Sequence, residues 1–443
     1  MRRKTLRLLA STLALYFLLA SNLSAQIKAL NFQEFTLDNG LHVILHQDNT
    51  TPIVVVSVMY NVGSRNEAPD RTGFAHFFEH LMFEGTENIG RGEYPKYVEN
   101  AGGTLNANTS SDRTYYYEIM PSNQLELALW LESERMFHAK VDSIGIQTQK
   151  RVVIEEKKQN YDNRPYGTLI QETMSRSFSV HPYKWTTIGN PEHIMAAKDE
   201  EFYQFYKKFY VPNNAVLVIA GDIDYTSAKD LASKYFNEIP KGKVDIDRTF
   251  PVEPPLAREV RDSIRDNIQV PLVLQSYRIP AYGSEDYYAL EMLSTLLSDG
   301  ESSRLYRSLV DEKKIAMEVF SEPFDMVDPG ITIIGALPNM GIDPLALDKE
   351  IDYEISKIQK ETISDIEFQK LKNQYEANII SENTRLESRA EEFAWNYTVF
   401  KNAARTNDQL TPYLNVTKED IKRVANKYLV PSNRVVLFYL PKN

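Results

Sequence analysis

Residues 73–85 read Gly-Phe-Ala-His-Phe-Phe-Glu-His-Leu-Met-Phe-Glu-Gly, a mostly apolar run with three polar side chains at its centre. On a helix, His76 and His80 lie four residues apart and point to the same side. This spacing allows two imidazoles to bind one Zn²⁺ and predicts a metal site on a helix. Glu79 lies beside the histidines, where a carboxylate can accept a proton from a metal-activated water. The alternative is an amphipathic core helix with two hydrogen-bonded histidines.

A catalytic zinc site needs a third protein ligand, which has to come from another part of the chain. Residues 149–158, Gln-Lys-Arg-Val-Val-Ile-Glu-Glu-Lys-Lys, place two acids directly after an apolar cluster. On a helix, Glu155 and Glu156 point about 100° apart, so only one of them can face a site. The spacing does not choose between them, and a solvated charged face is the alternative interpretation of this segment.

Residues from about 32 to 221 resemble the catalytic half of the pitrilysin/insulinase family of zinc peptidases, which carries the inverted motif His-x-x-Glu-His. The matching pieces occur in family order and are G-F-A-H-F-F-E-H-L-M-F-E-G, G-G-T-L-N-A-N-T-S-S-D-R-T-Y-Y-Y-E, L-E-S-E-R-M, R-V-V-I-E-E, H-P-Y-K-W-T-T-I-G and F-Y-V-P-N-N-A-V-L-V-I-A-G-D. The resemblance implies a zinc peptidase with His76, His80 and Glu156 as metal ligands and Glu155 as the alternative to Glu156. It also implies that Glu79 is the general base.

The same resemblance implies where a peptide substrate binds. Asn106 and Ala107 match the family's edge strand, to which an extended peptide adds through main-chain hydrogen bonds. The Gly102-Gly103 pair before them would by itself indicate only a turn. Gln149 stands where the family often has a glutamate, so an uncharged amide replaces an acid near the third ligand.

Internal similarity indicates a duplicated unit. Residues 209–217 resemble residues 428–436, and the end of the histidine motif resembles residues 293–300 at nearly the same offset. The sequence therefore predicts an α+β fold of two homologous α/β units, each a mostly antiparallel sheet packed with helices. The family resemblance implies that the two units together form one half of a clamshell.

Domain boundaries follow from this repeat. We expect a metal-binding catalytic domain over residues 26–243 and a homologous second domain over residues 259–443. The three prolines within residues 244–258 indicate an extended linker between them. No histidine occurs after His193, so the predicted metal site belongs to the first domain alone.

The N-terminal residues predict export. Four basic residues among the first seven precede a 13-residue, mostly apolar run (residues 8–20) and a small-residue end, which is typical of a signal peptide over residues 1–25. The alternative is an uncleaved membrane anchor. With the signal removed we expect a periplasmic or secreted protein without a stable membrane span. The chain has no cysteine, which excludes disulfides and a lipid-modified cysteine.

Charge narrows the classes of partner. Removal of residues 1–25 takes away four positive charges and no acids, so the formal net charge goes from −11 to −15. Such an acidic chain is a poor nucleic-acid binder. The expected partners are extended peptides and a second protein subunit.

The second domain lacks two polar groups that the resemblance leads us to expect. In single-chain and homodimeric relatives an Arg and a Tyr, seven residues apart, reach the substrate near the metal. The corresponding positions are Val310 and Met317, which cannot donate hydrogen bonds. Family heteromers exist in which a partner chain supplies this pair. The resemblance therefore implies a zinc-bearing subunit of a heterodimer with a paralogous chain. The alternatives are a self-sufficient homodimeric peptidase using donors such as Arg304 or Tyr306, and a non-catalytic scaffold protein.

Overall fold

Two β-sheets and the helices packed against them make up the fold. The computed structural model describes residues 29–442, so the predicted signal peptide lies outside the described residues. The strands are β1 (Gln33–Thr36), β2 (His42–Gln47), β3 (Ile53–Tyr60), β4 (Thr104–Thr109), β5 (Thr114–Pro121), β6 (Ala215–Gly221), β7 (Val260–Asp266), β8 (Leu272–Arg278), β9 (Ala316–Pro323), β10 (Ile331–Pro338) and β11 (Arg434–Pro441).

The helices alternate with these strands along both halves of the chain. They are α1 (Phe74–Leu81), α2 (Tyr94–Asn100), α3 (Leu125–His138), α4 (Ser143–Lys157), α5 (Leu169–Ser177), α6 (Pro191–Ala196), α7 (Asp199–Phe209), α8 (Tyr225–Phe236), α9 (Glu285–Ser298), α10 (Pro344–Lys360), α11 (Asp365–Glu382), α12 (Leu386–Phe400), α13 (Thr411–Asn415) and α14 (Lys418–Tyr428). Two π-helical turns, Lys158–Asp162 and Tyr306–Glu312, follow α4 and precede β9.

Each sheet belongs to one half of the chain. The first has the strand order β1-β2-β6-β3-β5-β4, and the second has the order β7-β11-β8-β10-β9. Each contains one parallel pair, β2 with β6 and β7 with β11, and its other pairs are antiparallel. The last strand of each unit thus lies parallel to an early strand, as expected for a duplicated unit.

The central strands of the first sheet explain how it is layered. β3 reads IVVVSVMY and β6 reads AVLVIAG, and nearly every residue of both strands is buried. A strand without polar alternation has both faces covered. The helix α12, from the second half of the chain, packs on β3 and β6 and covers one of these faces.

Conversely, a helix from the first half packs on the second sheet. The helix α5 packs on β8 and β11. Its Met174, with Phe178 and Tyr183 just after it, shares a buried core cluster with Leu274 and Val435 of those strands. Residues 244–258, the predicted linker, have neither helix nor strand. The linker therefore separates the strands of the two sheets, while the helices cross between them, and residues from Phe32 onward form one compact unit.

A buried ion-pair network joins the two halves. The guanidinium of Arg65, 6% exposed, lies 3.0 Å from the Asp112 carboxylate and 3.0 Å from the Asp328 carboxylate. Asp112 lies in the turn between β4 and β5, and Asp328 lies between β9 and β10. Asp112 also accepts hydrogen bonds from the Val327 backbone N–H (3.1 Å) and from the Tyr183 hydroxyl (2.7 Å). The network fixes the β4–β5 turn against the second half.

Within residues 29–442, no helix combines the length and the apolar composition that a membrane span requires. The signal-peptide prediction concerns residues outside this range, and it stays a prediction.

We expect Arg65→Ala to lower the free energy of unfolding by about 3–5 kcal/mol, because removing one partner leaves a buried carboxylate without its cation. Urea-induced unfolding measures this loss. Arg307→Ala is the control, since its side chain is 64% exposed and lies 3.8 Å from Glu312. Its effect should stay within about 0.5 kcal/mol. Equal losses in the two variants would show that the network does not join the halves.

Candidate metal centre

The helix that carries the histidine motif begins at a buried carboxylate. The Glu67 side chain accepts hydrogen bonds from the backbone N–H groups of Gly73 (2.9 Å) and Ala75 (2.8 Å) at the start of α1. Burial raises the pKa of Glu67 to about 8, in spite of these donors. Gly73 has φ +97°, a left-handed conformation that suits glycine. Glu67 and Gly73 together fix where α1 starts.

One face of α1 is held by aromatic packing. The rings of Phe74 and Phe77 each lie 4.5 Å, centroid to centroid, from the ring of Phe202 on α7. Phe78 lies 5.4 Å from Phe205 of the same helix. Because the phenylalanines occupy this face, the helical period turns the histidines to the other side.

The histidines meet one glutamate from α4. The Nε2 atom of His80 lies 3.1 Å from Oε2 of Glu156, and that of His76 lies 3.6 Å from the same oxygen. One ligand atom from each of the three residues can be chosen so that all lie within 4.8 Å of one another. In the part of the chain that the structure describes, no other group of three such side chains converges in this way.

The structure distinguishes the two adjacent glutamates. The Glu155 side chain is 58% exposed and lies 3.7 Å from Lys158 on the helix surface. Glu156 turns inward to the histidines. Spacing alone left this choice open, and the packing of α4 against α1 brings Glu156 to the cluster.

The cluster suits a divalent metal in its chemistry. Burial lowers the pKa of His76 to about 4, so the ring is neutral at neutral pH and keeps a free lone pair. The contact with His80 lowers the pKa of Glu156, which is therefore ionised. The Glu156 Oε2 atom is buried and makes no hydrogen bond of normal geometry with any described residue. Two imidazoles and one carboxylate form a zinc donor set that leaves a position open for a reactant.

Glu79 lies between this cluster and the end of β4. Its Oε2 atom accepts a hydrogen bond of 2.5 Å from the Thr109 hydroxyl, the last residue of that strand. Burial raises the pKa of Glu79, and the Thr109 hydrogen bond and the charge of His80 oppose this shift. A carboxylate with a raised pKa is suited to accept and return a proton near neutral pH.

The predicted substrate-binding residues lie on an open sheet edge. Asn106 and Ala107 are on β4, which pairs only with β5 among the described strands. The backbone N–H of Ala107 donates to the side-chain oxygen of Asn106 (2.9 Å), so it points away from β5. An extended segment can reach this N–H once the Asn106 side chain moves aside.

Three residues near the site were not predicted from the sequence: Tyr161, Glu67 and Thr109. Tyr161 lies in the π-helical turn after α4, and its pKa is raised by burial and by the charges of Glu156 and Glu79. A tyrosine five residues after a possible ligand carries no recognisable spacing, because the π-helical turn changes the helical period. Thr109 is 30 residues from Glu79 in sequence, so only the fold brings the two together. Glu67 lies six residues before Gly73, and no helical or strand period predicts their contact.

Gln149 lies near the site but forms no hydrogen bond with the three candidate ligands in the described structure. Its amide donates a hydrogen bond of 2.6 Å to Glu84, the second glutamate of the histidine-motif run. Glu84 in turn accepts a hydrogen bond of 2.6 Å from Arg91. The Gln149 amide thus links α4 to the segment that follows α1 by a hydrogen bond.

In the second half, the two positions at which family resemblance leads us to expect an Arg and a Tyr hold no polar donor. Val310 packs against a buried core cluster of the second half that includes Leu290, Leu293 and Ile351. Met317 is 55% exposed on the edge strand β9. Arg304 is engaged by Glu367 through two hydrogen bonds of 2.9 and 3.2 Å. Tyr306 packs against the same core cluster as Val310.

Comparison with family models divides the chain into two matching parts. Residues 42–190 match the model described as Insulinase (Peptidase family M16), and residues 197–375 match the model described as Peptidase M16 inactive domain. Over 438 residues, 98% of both chains, the sequence is 31% identical to the zinc protease PqqE of Helicobacter pylori.

Known structures share the two-sheet architecture. A protease from Helicobacter pylori has a TM-score of 0.89 and 31% identity, with 94% of this chain and 100% of that chain covered. The first half of the periplasmic protease PqqL from Escherichia coli has a TM-score of 0.76 and 18% identity, with 93% of both chains covered. The predicted fold class is thereby confirmed.

We expect Glu156→Gln to weaken zinc binding by at least roughly 10–100-fold. Loss of a residue that only hydrogen-bonds to a metal ligand already has an effect of that size. An amide is a poorer zinc ligand than a carboxylate. Metal analysis of the purified protein after dialysis against a graded zinc buffer measures the effect. Glu155→Gln removes the same charge from the adjacent position and should bind zinc like the unaltered chain. Equal zinc loss in both variants would rule out Glu156 as a ligand.

Proposed function

The chain belongs to the insulinase (peptidase M16) family, and we propose on that basis that it is the zinc-bearing subunit of an endopeptidase that hydrolyses peptides or unfolded polypeptides. The observation that carries the proposal is the convergence of His76, His80 and Glu156, with Glu79 beside them. A scaffold protein would have no need of a partly buried set of two imidazoles and one carboxylate. The relative named a zinc protease supports the same activity.

The mechanism follows from where the charges lie. His76, His80 and Glu156 would hold the zinc, which when bound would supply Lewis-acid polarisation of the scissile carbonyl and lower the pKa of the attacking water. Glu79 accepts the proton of that water and returns it to the leaving amine. The Thr109 hydroxyl holds Glu79 in place through its 2.5 Å hydrogen bond.

The substrate would lie along β4. The outward N–H of Ala107 is the donor available to a substrate carbonyl, and Asn106 occupies it until substrate arrives. Since β4 ends at Thr109, a peptide paired with this strand runs toward Glu79. Main-chain pairing selects extended segments over folded proteins.

We further propose that the active enzyme is a heterodimer with a paralogous chain. Val310 and Met317 cannot supply hydrogen bonds to a developing oxyanion. Arg304 is held by Glu367, and Tyr306 contributes to the core, so neither is a ready substitute within this chain. The self-sufficient homodimer is the second candidate. It would be favoured if a second copy of this chain supplied a free hydrogen-bond donor to the oxyanion.

Export to the periplasm or outside the cell is proposed from the sequence alone. The basic start and the 13-residue apolar run within residues 1–25 support it.

We expect Glu79→Gln to retain zinc and to lower kcat on an unfolded polypeptide by about 10²–10⁴-fold, because the amide cannot accept the proton. Cleavage of a fluorescent casein by the zinc-loaded protein, with its paralogue present, measures the rate. Glu155→Gln serves as the control for charge. A Glu79→Gln variant that cleaves at the unaltered rate would show that another group is the base.

The heterodimer is tested by reconstitution. We expect the chain alone to cleave at least about 10²-fold more slowly than a mixture with a paralogue that carries the Arg/Tyr pair and lacks the histidine motif, since oxyanion donors are worth about 10²–10³ in kcat. Full activity of the isolated chain contradicts the heterodimer. If Tyr306→Phe then abolishes that activity, the self-sufficient enzyme is the correct alternative.

A further inference from the structure

A cavity of about 640 Å³ lies where the linker passes between the two halves. Asn61 and Asn214 line it from the first half, Arg248 from residues 244–258, and Lys401 from the end of α12. None of the candidate metal ligands, nor Glu79, lines it. Its volume is in the range of sites that bind small molecules.

Arg248 is positioned in this cavity by neutral groups only. Its Nη1 donates to the Asn61 side-chain oxygen (3.0 Å), and its Nη2 donates to the Asn61 carbonyl (3.0 Å) and the Asn214 side-chain oxygen (2.6 Å). A guanidinium has five N–H donors, so the Nε–H and one Nη1–H remain for another acceptor. Asn61 and Asn214 hold the Arg248 guanidinium in one orientation. Among residues 29–442, no carboxylate forms an ion pair with this guanidinium.

Lys401 is the second cation. It follows α12 in the left-handed conformation (φ +55°), and its ammonium lies 5.2 Å from the centroid of the Tyr397 ring. No hydrogen bond or ion pair with a described residue involves this ammonium. Loss of solvation lowers the pKa of Lys401, and the charge of Arg248 adds to this shift.

The acids around the cavity do not neutralise these cations. Asp112 and Asp328 are both paired with Arg65 at 3.0 Å. Asp245 is exposed and forms no ion pair with Arg248 or Lys401 in the described structure. Burial and the charge of Arg65 lower the pKa of Arg248 to about 10, and no acid offsets this shift. Arg248 and Lys401 form no ion pair with any acid of the described residues, so an anion bound between them gains favourable Coulomb energy.

We propose that this cavity binds the phosphate or carboxylate group of a small soluble molecule, with Arg248 and Lys401 as its charged contacts. The free Nε–H and Nη1–H of Arg248 offer two donors to an oxyanion, and Lys401 adds an ammonium. Residues 1–28 contain no Asp or Glu, so their side chains cannot supply the anion. Trp395 and Phe250, which also line the cavity, provide apolar surface for the remainder of the ligand.

Isothermal titration of the full-length, zinc-loaded protein tests the proposal. Sodium phosphate and sodium citrate are the two probes, and sodium chloride at equal ionic strength is the reference. We expect saturable binding of at least one probe above the chloride response. The probe that binds more tightly identifies phosphate or carboxylate as the preferred group. Arg248→Gln and Lys401→Gln should each weaken that binding by about tenfold or more, because a charged hydrogen bond is lost.

The two test variants are compared with one control variant, and each protein is checked for folding. Lys401→Gln removes a charge without breaking any hydrogen bond that the structure shows, so its folding should be unaffected. Arg307→Gln removes an exposed positive charge and should bind the probe like the unaltered protein. Zinc content and the urea midpoint confirm that each variant is folded. The proposal is overturned if neither probe binds above chloride, or if Lys401→Gln binds as tightly as the unaltered chain.

Discussion

The ion pair of Arg65 with Asp112 and Asp328 connects the chemistry of the first half to the fold of the second. Asp112 lies in the turn between β4 and β5, and the same carboxylate accepts the backbone N–H of Val327 from the other half. The turn therefore has two anchors, one in each half. Burying these charges costs desolvation energy, and removing one partner would leave another charge buried and unpaired.

The position of the β4–β5 turn affects the candidate site, because β4 ends beside the candidate base Glu79. Thr109 is three residues before Asp112, and its hydroxyl holds Glu79 at 2.5 Å. The second half has no metal ligand of its own, yet it holds the strand that a peptide would pair with. Exchange of α5 and α12 between the sheets strengthens this dependence, since neither sheet can bury both faces alone. The second half thus holds the β4–β5 turn in place, although the three candidate metal ligands all lie in the first half.

Much of the candidate site was predictable, because its signals are local. His76, Glu79 and His80 lie within one and a half turns of a helix, and the helical period alone places them together. The open β4 edge and the duplicated sheets were also predicted, the first from family resemblance and the second from an internal repeat. Glu156 needed the resemblance, since the helical period separates it from Glu155 but does not say which one faces the histidines. The exchange of helices was not predicted, because an amphipathic helix shows that it has an apolar face and not which sheet covers it.

The sequence by itself determined the donor types, their helical spacing, the acidic charge and the two-unit α+β plan, all of which depend on residue identity and local periodicity. Tertiary structure decided which glutamate joins the histidines, that Thr109 supports Glu79, and that Glu67 caps the helix of the motif. It also decided that Arg248 and Lys401 share a cavity without a carboxylate. Apart from the Glu67 cap, whose partners lie six and eight residues away, these outcomes depend on contacts between residues far apart in sequence. Their partners are selected by packing of whole elements, which no local pattern records.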